Sequence, residues 1–168
     1  MKTKLIGMIL ISLLTVSIVG CGLGGSKGAS ADSSQDAAFE YNGVTVSIKD
    51  ENMDNVFEAF GQPETKEGDK PGFYYTFDSG LVGVSSYIIN EIDEENRQEF
   101  PDMISIKDEN IKTSKGISVG STEEEVKAAY GEAQGVSIDS MNILTYSFDD
   151  YTISFVIDQT VSEIKYTG

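Results

Sequence analysis

The chain has 168 residues, enough for one domain or two small ones, and its apolar and charged fractions of 39% and 24% suit a protein with a packed core. Asp and Glu number 28 against 12 Lys and Arg, a formal charge of −16, and such a field repels nucleic acid and anionic lipid as binding surfaces. There is no His and one Cys, Cys21, which excludes intrachain disulfides, Cys/His metal sites and Ser–His or Cys–His dyads.

Residues 1–20, MKTKLIGMILISLLTVSIVG, read as an export signal: Lys2 and Lys4 form the positive start, and Leu5 to Val19 the apolar stretch. That stretch is short of the ~20 residues of a membrane span. Ile18-Val19-Gly20-Cys21 resembles the bacterial lipobox. The resemblance implies cleavage between Gly20 and Cys21 and a diacylglycerol on the Cys21 sulfur, with palmitate-type chains anchoring the protein to the cell membrane. Two acyl chains, at about 0.8 kcal/mol per buried methylene, suffice for stable residence where one is marginal. Loss of Lys2 and Lys4 with the signal takes the formal charge from −16 to −18. Residues 21–38 are rich in Gly, Ser, Ala and Asp and read as a flexible tether, with Asp32 and Asp36 as solvated linker carboxylates.

From Phe39 onward the pattern is that of a folded body. FEYNGVTVSI (Phe39–Ile48) is strand-like, and the hexamer SIKDEN occurs at Ser47–Asn52 and again at Ser105–Asn110. After the first copy, Met53, Val56, Phe57 and Phe60 follow helical spacing, with Asn52 as N-cap and Gly61 and Pro63 as the stop. After the second comes IKTSKGISVGS and then a helix with a Thr122/Glu125 capping box, a stripe of Val126, Ala129 and Tyr130, and a stop at Gly131. Superposing the helices pairs Asn52 with Thr122, Val56 with Val126 and Gly61 with Gly131. Tyr75-Thr76-Phe77-Asp78 likewise answers to Tyr146-Ser147-Phe148-Asp149. The hexamer itself is out of that register, but the pattern predicts a duplication: one unit over 39–110 and another over 111–168.

Each unit is expected to run helix, loop, antiparallel strands. In the first, Phe73, Tyr75 and Phe77 alternate with Tyr74 and Thr76, the turn falls at Asp78-Ser79-Gly80, and Val82 and Val84 continue the buried side. In the second, Leu144, Tyr146 and Phe148 alternate with Thr145 and Ser147, the turn is near Asp149-Asp150, and Ile153, Phe155 and Ile157 follow. Closing strands are expected at Met103–Ile106 and Val161–Tyr166, and an acidic loop at 90–102. The expected class is α+β: two tandem helix-plus-antiparallel-sheet units, helices packed on one face of a curved sheet. The other face, with Tyr74, Thr76, Ser85, Tyr87, Thr145, Ser147 and Ser154, would be open.

Gly116-Ile117-Ser118-Val119-Gly120-Ser121-Thr122-Glu123-Glu124-Glu125-Val126, ending in Ala129-Tyr130-Gly131, resembles the signature of the β-lactamase-inhibitor-protein-like (BLIP-like) superfamily, whose helix-then-sheet unit is related to that of SmpA/OmlA-type envelope lipoproteins. The resemblance covers Phe39 to Gly168 and implies tandem units whose sheets grip a protein partner, with hairpin loops at Asp78 and Asp149 reaching into it. It names no target.

The remaining chemistry is sparse. Glu123-Glu124-Glu125 suits the first turn of a helix, where negative charge favours the dipole. Asp93-Glu94-Glu95 lacks EF-hand spacing and its glycine, and Ser114-Lys115 lacks a Ser-x-x-Lys setting. No catalytic residue, metal or cofactor is therefore expected. The best candidates for recognition are Tyr74 and Tyr87, because Tyr offers a large ring and a hydroxyl at low entropic cost. The sequence thus describes a non-enzymatic domain, lipid-anchored on the outer side of a bacterial, weakly Gram-positive-looking membrane. It would bind a protein or peptide on an open sheet face. An envelope assembly or maintenance lipoprotein is the alternative, and a hydrolase using paired carboxylates a more distant one.

Overall fold

Alternation of apolar and polar residues over seven to nine positions dominates the second half of each expected unit, and it makes long strands there. The computed structural model describes residues 33–69, 71–90, 96–138 and 141–168. The export signal 1–20, Cys21, the tether up to residue 32 and positions 91–95 of the acidic loop lie outside the described residues. In chain order the elements are α1 (Ser33–Asp36, one turn), β1 (Ala38–Tyr41), β2 (Val44–Ser47), α2 (Asp54–Phe60), β3 (Thr65–Glu67), β4 (Tyr74–Phe77) and β5 (Val82–Ile89). There follow β6 (Gln98–Ile106), α3 (Glu123–Tyr130), β7 (Gln134–Ile138), β8 (Met141–Ser147), β9 (Thr152–Asp158) and β10 (Thr160–Thr167).

Eight of these strands form one antiparallel sheet in the order β3-β4-β5-β6-β10-β9-β8-β7. Two four-strand meanders meet at its centre, where Met103, Ile104, Ser105 and Ile106 of β6 pair with Thr167, Tyr166, Lys165 and Ile164 of β10. One face of this sheet carries Tyr75, Phe77, Val84, Ile104, Ile106, Ile164, Tyr166, Phe155, Ile153 and Tyr146, all buried. The β1–β2 hairpin, α2, the 107–121 connection and α3 cover that face. The hairpin turns on Asn42 and Gly43, both at positive φ, a conformation that Asn and Gly tolerate best. Its Phe39 ring lies 5.8 Å from Tyr166 and 6.3 Å from Phe60, and Phe57 meets Tyr75 edge-on at 5.6 Å. On the other side Tyr130 packs 5.2 Å from Phe155.

The expected α+β class, two tandem BLIP-like helix-plus-sheet units with helices covering a curved sheet, is corrected. The protein is largely β rather than two helix-plus-sheet repeat units: eight strands belong to one continuous sheet, and β1 and β2 form a separate two-stranded one. The helices are too short to form a layer: α2 has seven residues and α3 eight. Gly61 and Gly131, both at positive φ, end them early, and α3 buries only Val126 while α2 buries Val56 and Ala59. The strands instead extend further than expected. Met103–Ile106 is the end of a nine-residue β6 that begins inside the presumed acidic loop.

Local chemistry is as the sequence suggested at the start of α3. Thr122 Oγ1 accepts from the Glu125 amide at 3.2 Å, and Glu125 Oε2 accepts from the Thr122 amide at 2.8 Å. At α2, Asn52 Oδ1 accepts from the Asp54 amide at 2.8 Å, one position earlier than a standard cap because Met53 precedes the first helical residue. The turn between β4 and β5 places Asp78, Ser79 and Gly80 at positive φ.

Two outcomes follow for urea unfolding. Phe155→Ala, at a fully buried position, lowers stability by about 3–5 kcal/mol. Thr122→Ala lowers it by about 1 kcal/mol, and the loss is the same in a Glu125→Ala background only if the reciprocal cap does not form.

Candidate functional site

Strand alternation that buries one face of the sheet turns the other towards solvent. The register places Thr65, Thr76, Gly83, Ser105, Lys165, Ser154, Thr145 and Gln134 in one row across all eight strands. Much of this row is chemically self-sufficient. Thr65 and Thr76 share a hydrogen bond of 2.7 Å, and Thr145 and Ser154 one of 3.0 Å. Ser105 donates to Glu163 Oε1 at 2.5 Å, and Glu163 Oε2 lies 3.2 Å from Lys165 Nζ. The centre of the open face is therefore a band of paired hydroxyls with one balanced ion pair.

Aromatic surface interrupts this band at the β4–β5–β6 end. Tyr74 and Tyr87 are 39% and 43% exposed, values that set them apart from the buried Tyr75, Tyr146, Tyr151 and Tyr166. Tyr74 pairs with Ser85, but its ring swings back across β5: a Cβ on Gly83 would stand 2.1 Å from the phenol oxygen and 2.8 Å from Cζ. Gly83 is thus the only residue type that lets Tyr74 lie down on the sheet. Tyr87 pairs with Phe100, ring centres 5.7 Å apart, just beyond a bulge between Ser85 and Ser86.

Together Tyr74, Ser85 and Tyr87 line a shallow groove of about 590 Å³ walled by Glu67 and Asp69 and by Pro71, Gly72 and Phe73. Its wall is held by close backbone approach. A Cβ on Gly72 would meet the Ser86 carbonyl at 2.0 Å, while the Ser86 and Ile88 amides donate to the Phe73 and Pro71 carbonyls at 2.8 and 2.7 Å. Beneath the groove, Glu99 Oε1 accepts from both Tyr75 Oη at 2.6 Å and Ser86 Oγ at 2.7 Å, and Lys66 Nζ sits 3.7 Å over the Phe73 ring. The Tyr75 and Ser86 hydroxyls beneath the groove are thus paired.

The residues singled out from the sequence do not gather into one site. Tyr74 and Tyr87 share the groove. Asp78 lies in the β4–β5 turn, beyond the row Phe77, Val82, Ile106, Ile164, Phe155 and Leu144. Asp149 lies in the β8–β9 turn, beyond the row Tyr74, Ser85, Met103, Thr167, Thr152 and Ser147 at the other end of the strands. The antiparallel β6–β10 junction inverts one meander against the other, so the two hairpin tips point in opposite directions. Asp78 is engaged by the Tyr41 hydroxyl at 3.4 Å, and Asp149 is exposed beside Asp150, which pairs with Lys49 at 2.6 Å. Gly20 and Cys21 lie outside the described residues.

Other motifs have structural roles. Glu123 bonds to Lys127 at 2.7 Å one turn on and accepts from Asn142 at 3.1 Å. Ser114 and Lys115 both serve Asp36: Ser114 Oγ donates to Oδ1 at 2.5 Å and Lys115 Nζ approaches Oδ2 to 2.8 Å. Asp36, taken from the sequence as a solvated linker carboxylate, is in fact buried, and the folded body begins before Phe39. Nothing in the local sequence marks this, since its partners lie 78 residues away. Among the described residues, no cluster of three His, Cys, Asp or Glu could hold a metal ion, and no helix is long and apolar enough to cross a membrane.

Residues 39–167 match the family model described as "Domain of unknown function (DUF4309)", and the chain belongs to that family. It is similar to a solved structure of a DUF4309 family protein (YjgB) from Bacillus subtilis subsp. subtilis str. 168, with 18% identity and a TM-score of 0.49 over 82% of this chain and 91% of that one. No curated protein matches the chain.

The core phenols make stability sensitive to alkali. Burial, the leading cause in each case, raises Tyr75, Tyr151 and Tyr166 well above the ordinary value of 10.0 and pushes Tyr130 up to about 12. Above pH 10 the unfolded chain releases protons that the folded one keeps, so the stabilisation is complete below that pH and declines as pH rises. Urea midpoints should hold up to about pH 10 and fall steadily from there towards about pH 12. A flat profile would show that these phenols are not buried as described.

Proposed function

We propose that this protein is a lipid-anchored, extracytoplasmic, non-enzymatic domain that binds a protein or peptide partner on its open sheet face, at the groove between Tyr74 and Tyr87. The observation that carries this reading is the exposure of two tyrosines in one groove, on a face whose hydroxyls are otherwise largely paired with one another. Aromatic side chains fixed on a rigid support lose little entropy on binding, the property that makes Tyr common at recognition hot spots. The anchor is proposed from the lipobox-like Ile18-Val19-Gly20-Cys21.

The layout suits both halves of the proposal. Asp36, near the start of the described chain, is clamped by Ser114 and Lys115 in the layer covering the core face. The described chain thus starts in the layer that lies on the opposite face of the sheet from the groove.

Two experiments test this. Cys21→Ser should abolish incorporation of radiolabelled palmitate and release the protein from membrane vesicles; unchanged incorporation and sedimentation would sink the anchor. A photo-crosslinking residue at Tyr87 should capture a discrete partner in native membranes, capture should drop at least tenfold with Tyr74→Ala, and the same label at Ser147 should capture nothing. Equal capture from both positions would remove the groove from the proposal. The captured partner, an enzyme or an assembly component, separates an inhibitory role from a structural one.

A further inference from the structure

Among the described residues, most buried polar side-chain atoms have a protein partner, and two phenol oxygens depart from that rule. Tyr130 Oη and Tyr166 Oη are both buried without a hydrogen bond from or to protein. Tyr166 is 0% exposed. Leaving a buried hydroxyl unpaired costs more than most single interactions contribute, so such a group calls for a partner.

Both hydroxyls belong to one neighbourhood. Tyr166 stands on the central strand β10 between Ile104 and Ile153, its ring against Phe39. Phe39 forms an isolated bridge with Thr113, which leads directly to Ser114 and Lys115. Lys115 Nζ lies 4.5 Å over the Tyr130 ring while it also pairs with Asp36. The buried Asp36 carboxylate acts electrostatically on Tyr130, Tyr151 and Tyr166 alike. The hydroxyls of Thr113 and Ser114 also act on Tyr130 but reach no hydrogen-bond geometry with it.

We infer that this neighbourhood is a binding site for one internal water molecule, which accepts from the Tyr130 and Tyr166 hydroxyls and donates to the Asp36 carboxylate. The chemistry selects the ligand. Two free O–H donors require an acceptor. An anion is repelled by Asp36 and a further cation by Lys115, and the Phe39 and Phe155 rings lie against Tyr166 and Tyr130. Asp36 has lone pairs beyond those used by Ser114 Oγ and Lys115 Nζ, since a carboxylate offers about four acceptor positions. A neutral molecule with two acceptor and two donor sites fits this set. Its effect is to tie three separate stretches of chain together: the N-terminal turn at Asp36, the end of α3 at Tyr130 and the end of β10 at Tyr166.

Tyr→Phe substitution gives a test whose sign discriminates. Removing a hydroxyl that has no partner should leave the melting temperature unchanged or raise it, whereas removing one that holds a water should lower it. Tyr130→Phe and Tyr166→Phe should each lower Tm by about 2–4 °C. The double variant should lose less than the sum, because the first substitution already weakens the water's hold. A crystal structure at high resolution should show the water within hydrogen-bond distance of both oxygens. A neutral or raised Tm for either variant would overturn the inference. So would a crystal structure in which the phenols bond directly to each other or to Asp36 with no water between them. Phenylalanine keeps the ring at both sites, so the variants fold and either outcome can be read.

Discussion

The pairing of β6 with β10 is the constraint from which the rest of the architecture follows. Four residue pairs at this junction join two four-strand meanders into one sheet, and Ile104, Ile106, Ile164 and Tyr166 at the seam are among the most deeply buried side chains. Because the seam is antiparallel, it also decides direction. Everything that points up in one meander points down in the other, which sends the β4–β5 and β8–β9 tips to opposite ends. The aromatic groove is accordingly built from the end of β3, the loop that follows it, β4 and β5, and takes nothing from the second meander.

Much of this was legible residue by residue. Tyr74, Thr76, Ser85, Tyr87, Thr145, Ser147 and Ser154 all lie on the face opposite the core, as their alternation with Tyr75, Val84 and Tyr146 requires. The Thr122–Glu125 box and the stop at Gly131 were equally plain, because caps are local chemistry. What escaped was long-range. Helix periodicity gave no measure of how much of the core two short helices could cover, so the sheet's predominance was underestimated. Asn42-Gly43 between alternating apolar residues is a strong hairpin signal, and FEYNGVTVSI could have been read as the two strands it forms. Asp36 had no such signal. A carboxylate in a Ser- and Ala-rich stretch looks solvated until its partners, far along the chain, are known.

The two faces of the sheet use their polar groups differently. On the core side, polar atoms are drawn into networks that fix the groove floor, with Glu99 receiving both Tyr75 and Ser86. On the open side the hydroxyls satisfy one another, and Glu163 is held between Ser105 and Lys165. At the groove this face also carries aromatic area, in the exposed Tyr74 and Tyr87.

The absence of a side chain at Gly83 has a bearing on how such a surface could diversify. A methyl there would occupy the space of the Tyr74 phenol oxygen, so the ring would have to stand up from the sheet. One codon change directly beneath the ring would convert a flat platform into an upright post. The residue at position 83 therefore decides whether the Tyr74 ring lies flat or stands up.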